Sequence, residues 1–147
     1  MHSGTSSFLF LLLIFAIETK AQTTVVLSAV PQAKVGTSTN ITTKIVNIKG
    51  IKGPARLTIA LPKGWKLENY PGETAPIKQD ENTLKVIWLE FPQKDTVNVS
   101  TLINLPQGQD PGVYQLKAEF TYLESGKEIK ISSTPIRIIL KKYFSRF

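Results

Sequence analysis

A chain of 147 residues with 18 Lys and Arg against 11 Asp and Glu carries a formal charge of +7, and it contains no cysteine. That excludes disulfide staples, Cys-ligated zinc and thiol catalysis, so packing alone has to hold the fold together. The length suits one ordinary domain with its own core.

Phe8 to Ile17 form an unbroken apolar run, about half the roughly twenty residues that a bilayer core requires. The run fits the h-region of a secretory signal, with Thr19-Lys20-Ala21 as a small-x-small cleavage site and Gln22 as the mature N-terminus. The n-region is weak, with His2 and the α-amine as its only cations. On this reading residues 1–21 are a signal peptide, and the protein is exported to the periplasm or cell surface without spanning the membrane. The leader holds the only His and the only Met. The mature chain then lacks imidazole as well as thiol, which removes His-based general bases. An exported chain without disulfides points to a bacterial envelope.

Period-two alternation punctuated by Gly and Pro runs through the remainder. Thr24 to Val30 is predicted as a first strand, stopped by Pro31. Thr39 to Ile48 is a second, with Ile41 and Ile45 on one face. Ala55, Leu57, Ile59 and Leu61 mark a third, and Pro76 to Gln79 add a short edge strand. Thr83 to Phe91 is a fourth long strand; Leu84, Val86 and Trp88 alternate with Lys85, Ile87 and Leu89. Lys94 to Leu105 is a fifth, pointing Val97, Val99, Ile103 and Leu105 one way. Val113 to Leu123 is a sixth, with Tyr114, Leu116, Ala118, Phe120 and Tyr122 on one face. Glu124-Ser125-Gly126-Lys127 reads as a tight hairpin turn into a seventh, Glu128 to Leu140, broken or bulged near Ser133-Thr134-Pro135. Seven to eight half-apolar strands and no helical stripe predict an all-β antiparallel sandwich over 22–140, followed by a basic aromatic tail at 141–147.

Asp110-Pro111-Gly112-Val113-Tyr114-Gln115-Leu116 resembles the D-x-G-x-Y-x-C run that opens strand F of immunoglobulin-like domains. The resemblance implies a structural corner at Asp110, Gly112 and Tyr114, with the Tyr hydroxyl bonded back to the loop and Leu116 in the Cys position. A wider likeness joins Leu61-Pro62-Lys63-Gly64-Trp65, Pro71-Gly72-Glu73, Leu105-Pro106 and Pro111-Gly112-Val113-Tyr114. That order is similar to bacterial Ig-like NEW3-type domains, which are often appended to glycosidases and surface proteins. Lys85 to Pro92 and Phe120 to Leu123 are similar to secreted domains of Bacteroidota. NEW3-type domains usually sit beside a catalytic module, and this chain has none.

No catalytic, metal or cofactor residue is assigned. Asp80 and Glu81 are adjacent in a turn-like segment and diverge into water instead of flanking a cleft. The acids form no EF-hand run, and no Ser stands in a Gly-x-Ser-x-Gly elbow. Asn40-Ile41-Thr42 and Asn98-Val99-Ser100 match the short N-glycosylation sequon, and Asp95-Thr96-Val97 an equally short O-glycosylation pattern.

Three surfaces remain. Ile87, Leu89 and Phe91 lie opposite the core face of their strand, and either the 64–82 loop covers them or they dock a partner chain. Lys141 and Lys142 open a tail of cations and aromatics that is either solvated or touches an acidic partner or an anionic surface. Trp65 and Tyr70 bracket the loop from Gly64 to Thr74, where they either stack on a sugar or, in the case of Trp65, plug the end of the sandwich. The leading expectation is a non-catalytic protein that binds another envelope or surface protein and no nucleic acid. A carbohydrate-binding module using Trp65 and Tyr70 is the alternative.

Overall fold

Among the residues that the computed structural model describes, 22–46, 50–68 and 76–143, every regular element is a strand. They are β1 (Thr24–Ala29), β2 (Gln32–Lys34), β3 (Ser38–Val46), β4 (Ala55–Ala60), β5 (Lys66–Leu67) and β6 (Ile77–Asp80). After these come β7 (Thr83–Trp88), β8 (Thr96–Asn104), β9 (Gly112–Leu116), β10 (Ala118–Glu124), β11 (Lys127–Ser132) and β12 (Ile136–Lys141). Three ladders result, ordered β1-β3-β8-β5, β11-β10-β4-β7-β6 and β2-β12-β9. All pairings are antiparallel except β2 with β12.

The two-residue period explains what fills the space between the ladders. In β3 it buries Thr39, Ile41, Thr43 and Ile45, and in β8 Val97, Val99, Thr101 and Ile103. Opposite them, β4 contributes Leu57 and Ile59, β7 Leu84, Val86 and Trp88, and β10 Phe120. At one end of β4 Trp88, Phe91 and Phe120 form an aromatic cluster, edge-on for Trp88–Phe91 at 5.0 Å between centroids and tilted for Phe91–Phe120 at 5.3 Å. Trp65, against Tyr114 at 5.4 Å, follows the other end.

Several predicted strands divide. The sixth splits at Lys117 into β9 and β10, and the seventh at Ser133-Thr134-Pro135 into β11 and β12. Together they form one long hairpin whose two halves serve different ladders. β10 pairs with β11 and β4, whereas β9 pairs with β12, which also pairs with β2. The residue numbers of paired positions shift by one across the break, from Leu116↔Ile136 to Glu119↔Ser132, so one extra residue is looped out as a bulge. Ser133 closes it. Its N–H donates to the Ala118 carbonyl at 2.8 Å, and its hydroxyl accepts from the buried Ala118 N–H at 2.9 Å.

The first strand ends before Pro31 as predicted, and the chain then joins another ladder as β2, which alternation did not announce; the Pro31 carbonyl accepts the Ile139 N–H at 2.8 Å. The fourth stops at Trp88, short of Phe91. The hairpin at 124–127 forms as predicted, with Ser125 at φ 51° and Gly126 at φ 78°. Those are the two positive values that a type I′ turn demands, and the first is borne by an L-residue with a Cβ.

Ser133→Ala leaves the Ala118 amide without an acceptor, and urea denaturation is expected to show a loss of about 1–3 kcal/mol. Ser125→Asn suits the left-handed position better, and the same measurement is expected to show a gain of roughly 0.5–1 kcal/mol.

Candidate functional site

β7 fills the core with Leu84, Val86 and Trp88, which leaves Lys85 and Ile87 on the outside of the five-stranded ladder. Ile87 is 49% exposed, and Leu89, just past the strand end, is 83% exposed. β6 extends this sheet at the β7 edge and does not lie across its face. The described part of the 64–82 segment therefore leaves Ile87 open. The side-chain amide of Gln79 fixes that segment: it accepts from the Leu67 N–H at 2.7 Å and donates to the carbonyls of Trp65 and Glu81, each at 2.9 Å.

Register carries the face onto two further strands. Ile87 stands opposite Arg56 on β4, and Arg56 opposite Thr121 on β10. Leu123, two residues on, is 52% exposed. Pro54, Arg56, Ile87, Thr121, Leu123 and Glu128 line a shallow groove of about 250 Å³ here. Burial, and then the negative charge of Glu124, raises the Tyr122 phenol above its ordinary value, so it stays protonated further into the alkaline range. Lys85 pairs with Asp80 at 3.3 Å and Lys130 with Glu119 at 3.6 Å. Arg56 and Glu128 have no ion-pair partner among the described residues. Leu123 and Arg56 are the residues that sequence reasoning missed. For Leu123 the signal was present, since Phe120 and Tyr122 facing inward leaves it on the outside.

Phe91 does not belong to this surface. It is 2% exposed and sits in the aromatic cluster with Trp88 and Phe120. The chain bends after Trp88, and the Phe91 N–H turns to the carbonyls of Lys52 and Gly53, so strand alternation no longer sets its direction. Lys141 and Lys142 stand apart from Ile87 and Leu89 as well. Lys141 is the last residue of β12, its carbonyl accepting the Val35 N–H at 2.9 Å, in the β2-β12-β9 ladder. Lys142 follows and is exposed.

Trp65 is wholly buried, and its ring lies against Tyr114, so it offers no face to a sugar. Its indole N–H has no hydrogen-bond partner among the described residues. Tyr70 lies outside the described residues. The corner is present: the Tyr114 hydroxyl donates to the Asp110 carbonyl and accepts from the Gln109 amide at 3.1 Å, and Gly112 opens β9. Among the described residues no group of three His, Cys, Asp or Glu is placed to hold a metal, and no helix is long and apolar enough to cross a membrane.

Trp65→Ala is expected to cost about 3–5 kcal/mol as a buried cavity, whereas Tyr114→Phe, losing one hydroxyl, costs about 0.5–1.5 kcal/mol. Chemical denaturation of both variants checks the ranking, which reverses if Trp65 is not a core residue.

No family model matches the sequence, and no curated protein matches it. Among solved structures, the fold matches a cohesin module from a family 33 glycoside hydrolase of Clostridium perfringens. The two are 7% identical, and the match covers 83% of this chain and 98% of that one at a TM-score of 0.61. A GH20 exo-β-N-acetylglucosaminidase from Vibrio harveyi, in complex with N-acetylglucosamine, is 12% identical over 84% of this chain and 19% of that one. Its TM-score of 0.42 carries no argument. At these identities the likeness is one of fold: an all-β, Ig-like sandwich of the kind found in the cohesin module.

Proposed function

We propose that this is a non-catalytic, exported protein of the bacterial cell envelope that acts by binding another protein. Residues 1–21 are its cleaved leader and 22–140 its sandwich domain, a relative in kind of the NEW3-type modules. One observation carries the reading. Ile87, Leu89 and Leu123 are exposed on the outside of a sheet whose inner face is already filled. Single exposed aliphatic residues are ordinary; Ile87 and Leu123 border one groove, with Leu89 two residues beyond Ile87, and that grouping is what docking surfaces present. The fold likeness to a module carried by a glycoside hydrolase supports a binding role beside other proteins. Lys141 and Lys142, at the start of the basic aromatic tail, are the second contact, for an acidic partner. The sugar-binding alternative loses its anchor with Trp65 inside the core.

Leu89→Lys places a charge in the surface without touching the core. It is expected to abolish co-purification of a native partner while the circular dichroism spectrum and unfolding midpoint stay unchanged. A partner that is retained at wild-type yield by this variant sinks the reading.

A further inference from the structure

The groove contains one group that restricts what can cover it. Arg56 stands between Ile87 and Thr121 in the middle of the sheet face. The neighbouring cations Lys85 and Lys130 already have carboxylates beside them, and Arg56 has none among the described residues. A partner that seals Ile87 and Leu123 from water takes water from the guanidinium as well. Burying a charge without a counter-ion costs several kcal/mol. Seating one aliphatic side chain returns only roughly 1.5–3 kcal/mol. An apolar surface alone would therefore be repelled, and the complement of this groove must bring its own carboxylate. Glu128 lines the same groove, but it stands on the edge strand β11, two strands from β4, and makes no ion pair with Arg56, so it is no counter-ion at contact distance.

Resting on the docking reading above, we infer that the occupant is an acidic, aliphatic segment of a partner protein. One apolar side chain lies between Ile87 and Leu123, and an Asp or Glu pairs with Arg56. In an extended segment residues two apart face the same way, so an apolar residue followed two positions later by an acid presents both groups together. The guanidinium takes such a carboxylate through two parallel N–H···O bonds, which a lysine could not reproduce.

The test uses three capped octapeptides, each a twice-repeated Leu-Ser-X-Ser with Glu, Ser or Lys as X, titrated into the protein and followed by amide chemical shifts. The Glu peptide is expected to move the signals of Arg56, Ile87 and Leu123, and to bind about tenfold or more tightly than the other two. Arg56→Glu inverts that preference. Lys66→Glu, the same change of charge on β5 of the other sheet, leaves it in place. Equal losses in the two variants, no discrimination among the peptides, or no shift with any of them overturns the assignment. The docking face is judged separately. If Leu89→Lys still abolishes partner capture, only the acidic assignment has failed; if capture survives, the face itself has failed.

Discussion

Between Ala118 and Ser133 a backbone amide and a side-chain hydroxyl stand in for a rung of the ladder, in a place sealed from water. This substitution lets one hairpin bend and serve two ladders at once, since the bulge would otherwise strand a buried donor. Its lower half pairs with β4 and so holds the β4-β7-β6 side of the sandwich. Its upper half pairs through β12 with β2 and brings Tyr114 to the ring of Trp65. Losing the bond would disturb both ends of the core together.

The docking face follows from the same arrangement. Once Phe120 is held inside by β10, it packs with Trp88 and Phe91 and closes that end of the core. The strands β10, β4 and β7 are then fixed in register, and every second residue must face out whatever its chemistry. Ile87 and Leu123 are exposed because the inner positions are occupied. Arg56 is isolated because register places Ile87 and Thr121, and no acid, directly beside it.

Much of this could be read from the residues. Alternation assigns the inner faces of β3, β4, β7 and β8, and the Asp110 to Tyr114 spacing locates a corner that the hydroxyl bond realises. Other features had no local trace. The parity of Leu116 and Ala118 is unbroken across the split at Lys117, so nothing in that stretch announces a change of ladder. Phe91 continues the outward parity of Ile87 and Leu89, and only the turn of its amide towards Lys52 and Gly53 sends it inward. The setting of Arg56 depends on three strands far apart in sequence, and no single segment encodes it.

The side chain of Gln79 joins β5 of one sheet to β6 of the other, where the two-residue β5 has little packing of its own. Among the described residues that amide supplies the hydrogen bonds joining β5 to β6, beside the packing of Leu67 and Ile77 against the core, so this margin is a seam. Thermal fluctuation can open that margin while the hairpin and the aromatic cluster stay closed, and amide hydrogens there would exchange ahead of global unfolding. The molecule thus has a stiff side, where the docking face lies on β10, β4 and β7, and a compliant one.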